Sequence, residues 1–114
     1  MTGYDVINTY ETLVSIADSE FDLATSCAIA KNISELQIYV NVIESKRKKF
    51  IEEFGEKDEN ENIIKVKDVD SFNKAMNEIL SEKIEVNLTK IKGEKFSDIK
   101  ISPAKAMWLI KIIE

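Results

Sequence analysis

The stretch IAKNISELQIYVNVIESKRKKFIEEFG, residues 29–55, determines the architecture of this chain. Apolar residues recur in it at alternating spacings of four and three, with Arg47 as an interruption, and Gly55 follows directly. This spacing is typical of one continuous helix face, and a glycine after it is a common helix terminator. We therefore predict a long helix from about residue 20 to Phe54, around which the rest of the chain folds. Its apolar seam consists of Ile29, Ile33, Leu36, Val40, Ile43, Phe50 and Phe54.

Two questions about this helix stay open at the level of sequence. A helix of this length extends about 50 Å, whereas a compact chain of this size has a radius of gyration of about 13 Å. Either the helix breaks near Lys31-Asn32, or the molecule is elongated, or a partner chain covers the excess. Residues Leu36–Ile43 also alternate like a strand and are rich in β-branched side chains. The sustained heptad and the helix-forming residues that follow favour a helix there.

The flanking sequences predict three shorter helices. The first spans Tyr4–Ala17, and its apolar face consists of Val6, Ile7, Tyr10, Leu13, Val14 and Ala17. Asp18 or Ser19 would cap the long helix that follows. Asp68 would cap a second helix with an apolar face. Ser102-Pro103 provides a cap and a first-turn proline for a third, which we expect to continue to the C-terminus.

A small β element completes the prediction. Ile63–Lys67 and Lys83–Leu88 have the composition of short strands and would pair with each other, while Gly55–Asn62 would be a polar loop and Thr89–Ile99 irregular. The predicted fold class is mainly α (α+β), with a long central helix packed with shorter helices plus a small two-stranded β element. Residues 1–114 would form a single domain, with an acidic helical hairpin over 1–55 and a β-α-β-α part over 56–114.

The composition argues against catalysis and cofactor binding. The chain has no histidine and one cysteine, Cys27, which removes internal disulfides, multi-cysteine metal sites and Ser–His or Cys–His nucleophile pairs. Adjacent carboxylates show no spacing that marks an acid/base pair. We predict that the protein is not an enzyme and has no cofactor. Cys27, Met107 and Trp108 are expected to belong to the core.

Two charged segments match the sequence pattern of a binding site in part. Asp58–Asn62 places side-chain oxygens at alternate positions, as in a calcium loop, but Ile63 and Val69 stand where such a loop requires glycine and glutamate. We therefore expect a solvated loop and no metal site. On a helix, the side chains of Lys46–Lys49 would point in different directions. Acidic residues flank them at the spacing at which oppositely charged side chains pair along a helix. This pattern favours a solvated surface over a nucleic-acid site.

The net charge of −5 is unevenly distributed. Residues 1–45 contain one base, Lys31, against seven acids, whereas residues 46–114 contain 15 bases against 14 acids. The first third should therefore repel nucleic-acid phosphates.

No apolar run approaches the roughly 18 residues of a membrane span, and the N-terminus lacks a basic signal sequence. We expect a cytoplasmic protein with no membrane contact.

The second half of the chain resembles a known family. The segments EKDENEN at 56–62, IKVKD at 64–68, FNK at 72–74, EKIEV at 82–86 and ISP at 101–103 resemble small uncharacterised proteins of phages and prophages in Gram-positive bacteria. The resemblance covers roughly residues 46–114, and Glu61 replaces the usual glycine of the turn. The family is a domain of unknown function. The resemblance implies a phage origin, the cytoplasm of a bacterial host, and no particular activity.

These observations predict a non-catalytic phage accessory protein that binds a host protein, for example as an anti-CRISPR-like inhibitor of a bacterial defence system. An acidic protein of this kind can occupy a basic nucleic-acid groove on a defence factor, and no direct nucleic-acid contact is expected. The alternative is a phage structural or assembly protein that forms a helical homo-oligomer, such as a homodimer, through the seam of the long helix. The predicted partner-binding residues are Asp18, Glu20, Asp22, Glu56, Asp58, Glu59 and Glu61.

Overall fold

The computed structural model describes residues 1–57 and 63–114 and confirms the predicted fold class. Within these ranges the chain forms helices and a small antiparallel sheet, and two single turns of 3-10 helix lie at Gly93–Phe96 and Ile110–Ile112. The elements in chain order are α1 (Gly3–Ile16), α2 (Leu23–Phe54), β1 (Gly55–Lys57), β2 (Ile63–Val66), α3 (Val69–Ser81) and α4 (Pro103–Leu109).

Helix α2 is one unbroken helix of 32 residues, which corresponds to a length of about 48 Å. It continues through Lys31-Asn32 without a break, and Leu36–Ile43 is helical, so the strand alternative for that segment is wrong. The molecule measures 54 × 27 × 24 Å and has a radius of gyration of 17.3 Å. The molecule is therefore elongated, because its long helix is unbroken.

The core confirms the apolar seam of α2. Ile29, Leu36 and Ile43 are buried, and the helix packs against α1 and α3. Leu13 of α1 and Ile112 near the C-terminus are completely buried in the same region. Their removal from water is the main favourable contribution to folding. The seam thus faces the chain's own interior.

The two ends of α2 differ from the prediction in their geometry. Asp22 caps the helix, with its Oδ1 accepting a hydrogen bond from the Thr25 amide at 2.7 Å. Asp18 and Ser19 do not cap it, because they belong to the turn that ends α1, where the Ser19 amide donates to the Ile16 carbonyl at 3.0 Å. Gly55 does follow the last helical residue, but its extended backbone ends the helix by starting β1.

The predicted strand pairing is wrong. β2 pairs antiparallel with β1, with Gly55 opposite Val66, and does not pair with residues 83–88. The first three residues of the expected polar loop Gly55–Asn62 therefore form a strand, and the calcium-like segment after them lies outside the described residues. The two strands are close in the sequence, and closing a short loop costs less chain entropy than joining distant segments.

Residues 82–91 instead run as an extended segment along α1 and α2. At its beginning, the Ile84 amide donates to the Met1 carbonyl at 2.6 Å. At Thr89, the buried Asn32 side chain bonds both backbone groups: its Nδ2 donates to the carbonyl at 2.9 Å, and its Oδ1 accepts from the amide at 2.7 Å. Asn32 therefore anchors this segment to α2 at the position where a helix break was considered.

The predictions that Cys27, Met107 and Trp108 belong to the core and that the last helix continues to the C-terminus are wrong. Cys27 is exposed, because it lies on the outer face of α2, and Met107 is 61% exposed on the outer face of α4. Trp108 is half-buried and contacts the Tyr4 ring edge-to-face, with 5.6 Å between ring centroids. Helix α4 ends at Leu109, after which the chain tightens and Ile113 pairs with Ile91.

Candidate functional site

Four carboxylates line a shallow cleft where α1 ends and α2 begins. Glu20 and Asp22 come from the connection between the two helices, whereas Glu94 and Asp98 come from the 3-10 turn and the residues after it. We call these four residues the acidic cleft; its volume is about 280 Å³, and its lining also contains one base, Lys95. The four carboxylates and one ammonium group give the lining of the cleft a net negative charge, and the adjoining groove contains Lys90 and Lys92.

Two contacts hold the halves of the acidic cleft together. The rings of Phe21 and Phe96 pack edge-to-face, with 5.9 Å between their centroids. Beside them, the Lys95 ammonium lies 2.8 Å from the Asp22 Oδ2. An edge-to-face aromatic pair contributes about 0.5–1.5 kcal/mol beyond the area it buries. The cleft is therefore arranged before any partner arrives.

Both carboxylate oxygens of Asp22 accept hydrogen bonds from other residues of the chain. The hydrogen bond from Lys95, followed by those from Thr25, lowers the pKa of the Asp22 carboxyl well below its usual range. Its two oxygens serve the ion pair and the cap of α2. Glu20, Glu94 and Asp98 are exposed and have no ion pair among the described residues. These three are the carboxylates available to a partner.

The lowered pKa of Asp22 predicts a pH dependence of stability. A carboxyl group whose pKa is lower in the folded state stabilises the protein above its unfolded pKa, about 3.8, and this contribution is lost as the pH falls below that value. Asparagine caps helices about as well as aspartate, so Asp22→Asn removes the charge and keeps the cap. We expect urea midpoints at pH 7 and pH 3 to differ less in Asp22→Asn than in the wild-type protein. An unchanged difference would show that the ion pair has no such role.

The structure separates the predicted partner-binding residues into two groups. Asp18, Glu20 and Asp22 lie at the beginning of α2, and Asp18 is exposed there. Glu56 lies in β1 beyond the other end of α2, about 48 Å away, and its Oε2 is 3.2 Å from the Lys65 Nζ. Asp58, Glu59 and Glu61 lie outside the described residues. The predicted set is therefore not one site, and of its first group Glu20 and Asp22 belong to the acidic cleft.

Glu94 and Asp98 were not predicted as site residues. The segment around them was expected to be irregular and rich in lysine, and nothing in its spacing places it beside the start of α2. Phe96 provides a weak signal, since an aromatic residue among charged ones indicates a local contact with the core. That signal does not identify the contact partner, Phe21, which lies 75 residues earlier.

Within residues 1–57 and 63–114, the other charged segments show no arrangement typical of a metal or nucleic-acid site. In the described residues, no three histidine, cysteine, aspartate or glutamate side chains are close enough to hold a metal ion. Lys46, Lys48 and Lys49 are exposed, and Arg47 forms an ion pair with Glu44 at 3.3 Å. The wide groove on α3, of about 780 Å³, is open, and its polar lining consists of acidic, amide and hydroxyl side chains with one base, Lys74.

Comparison with family models, curated proteins and solved structures found no match to this chain. The resemblance to phage proteins therefore stays a prediction. In the part of the chain that the structure describes, no helix is both long and apolar enough to cross a membrane.

Proposed function

We propose that this protein is a non-catalytic phage accessory protein that binds a host protein, and that it inhibits a bacterial defence system. The observation that supports this proposal is the acidic cleft, whose carboxylates converge at one exposed end of an elongated molecule. Clustered charges of one sign attract a surface of the opposite sign and accelerate association with it. The partner therefore presents lysine and arginine side chains, as the nucleic-acid groove of a defence factor does.

The cleft is suited to this role because the two segments that carry its carboxylates are joined to each other. The Phe21–Phe96 contact and the Asp22–Lys95 ion pair hold its two sides in place. A preorganised surface loses less conformational entropy on binding than a flexible one. Glu20 and Asp98 are then free to pair with bases of the partner, while Asp22 maintains the structure of the cleft.

A capture experiment with matched charge changes tests the proposal. The immobilised wild-type protein and the Glu20→Lys/Asp98→Lys variant are compared as baits for proteins of a Gram-positive host lysate. Glu78→Lys/Glu82→Lys, in the last turn of α3 and directly after it, serves as the control, because it changes the net charge equally at another exposed place. We expect the wild type and the control to retain the same basic protein at low salt and to release it at high salt. The cleft variant should retain none of it. Equal retention by both variants would contradict the proposal.

A second candidate function, a structural or assembly protein acting as a helical homo-oligomer, is favoured by a separate observation. Ile38 and Val42, in the middle of α2, are 60% and 51% exposed. They do not belong to the seam from which self-association was predicted, since that seam faces the interior at Ile29, Leu36 and Ile43. Any oligomer built on α2 must use its outer face.

A further inference from the structure

The outer face of α2 has a short apolar centre. Ile38 and Val42 are one helical turn apart and therefore adjacent on the surface. They point away from the face that buries Leu36 and Ile43, and more than half of each side chain is exposed to solvent. Ile38 and Val42 thus form an apolar patch at the middle of a 32-residue helix.

Four charged residues are arranged symmetrically about Val42. Glu35 precedes it by seven residues and Lys49 follows it by seven, while Lys31 precedes it by eleven and Glu53 follows it by eleven. Seven and eleven residues correspond to about two and three helical turns. All four side chains therefore lie on the same line along α2 as Val42. The order along this line is positive, negative, apolar, positive, negative. Lys46, one turn after Val42, lies about 40° to one side of the line, as Ile38 does to the other.

We propose that a second copy of this chain packs antiparallel on the outer face of α2, with the two Val42 side chains on the two-fold axis. In this arrangement Glu35 lies opposite Lys49 of the second copy, and Lys31 lies opposite Glu53 of the second copy. Because the interface is two-fold symmetric, each pair occurs twice, which gives four ion pairs around the apolar centre. A parallel arrangement would place like charges opposite each other. The charge pattern therefore specifies that the partner is a second copy of this chain and that the two α2 helices run antiparallel.

The four charged groups are available for such contacts. None of them takes part in an ion pair within the described residues, and Lys31, Lys49 and Glu53 are exposed while Glu35 is half-buried. The residues of this line extend for about 33 Å along the helix. A contact of this length and about one helix wide is smaller than a standard specific interface, so we expect a weak dimer that dissociates in the high micromolar range. This inference does not depend on the acidic cleft binding a host protein.

A charge exchange between Glu35 and Lys49 tests the pairing directly. Sedimentation of the full chain measures the dissociation constant of wild type, Glu35→Lys, Lys49→Glu and the double variant. Each single change replaces two attractions by two repulsions, which should weaken association about tenfold. The double variant restores opposite charges between copies and should return close to the wild-type value. Glu35 and Lys49 are about 21 Å apart within one helix, so recovery reports a contact between two copies.

A second set of variants tests the apolar centre. Val42→Lys places two ammonium groups on the two-fold axis and should weaken association about 100-fold. Gln37→Lys is the matched control on another exposed part of α2 and should leave association unchanged. Circular dichroism checks that each variant retains its helix content. A wild-type monomer at millimolar concentration, equal effects of the Val42 and Gln37 variants, or no recovery in the double variant would each overturn the proposal.

Discussion

Replacing Leu36 by alanine is expected to lower the free energy of unfolding by about 3 kcal/mol, because the residual cavity adds to the lost transfer free energy. Leu36 is completely buried at the middle of α2 and belongs to the same core cluster as Val6, Leu13 and Ile112. These neighbours come from two other parts of the chain, so the cavity cannot be closed by a shift of one side chain. Urea denaturation of the dilute protein measures the loss.

Ile38→Ala is the matched control for this prediction. Ile38 lies two residues after Leu36 in the same helix but is 60% exposed. Its truncation should change the free energy of unfolding by no more than about 0.5 kcal/mol. If both alanine variants lost the same amount, α2 would not have the inner and outer faces described above.

The second large effect is expected at Asn32. Asn32→Ala removes both hydrogen bonds to Thr89 and leaves that residue's amide and carbonyl without their partner, which should cost about 2–3 kcal/mol. Asn41 is an exposed asparagine in the same helix, and Asn41→Ala should have no effect or stabilise slightly, because alanine is the better helix former. The amide of Thr89 should also exchange its hydrogen faster in Asn32→Ala. An unchanged exchange rate together with unchanged stability would show that Asn32 does not anchor the segment.

The long helix could be predicted because its evidence is local and repeated. The spacing from Ile29 to Phe54 extends over many turns, so a single polar interruption at Arg47 does not disturb it. The caps at Asp68 and Ser102 were predictable for the same reason, since a cap depends on a side chain and an amide three residues later. Local rules were sufficient wherever the stabilising contacts are themselves local.

The extended segment could not be predicted because its partners are distant. Alternation of apolar and polar residues from Lys83 to Leu88 suggested a strand that pairs with another strand. In the structure, side chains of α2 bond its backbone: Asn32 bonds Thr89, and the Tyr39 hydroxyl donates to the Glu85 carbonyl at 3.1 Å. Buried backbone amides and carbonyls need hydrogen-bond partners. Nothing in the sequence pattern indicates that side chains of a helix provide them for this segment.

The buried face of α1 shows a second limit of pattern recognition. Val6 and Leu13 were predicted to face the core and do so, but Thr9 and Thr12 are buried beside them. A threonine can present its methyl group to an apolar environment, which a division into apolar and polar residues overlooks. Val14 was placed on the same face and is 46% exposed.

Two of the four carboxylates of the acidic cleft could be predicted from the sequence. Glu20 and Asp22 lie in an acidic stretch between two helices, which is visible in the sequence. Glu94 and Asp98 join them because a contact between two phenylalanines folds the chain back over more than 70 residues. Contacts of that sequence separation depend on the whole fold and leave no periodic signal.

Helix α2 is one continuous rod, and both the position of the acidic cleft at one end of the molecule and the symmetric outer face depend on this continuity. The distance between spin labels at Cys27 and at Lys48→Cys, both exposed, tests this claim most directly in dilute protein. Twenty-one residues of unbroken helix predict one narrow distribution centred at about 32 Å. A distribution centred well below that value, or one with two maxima, would contradict the account.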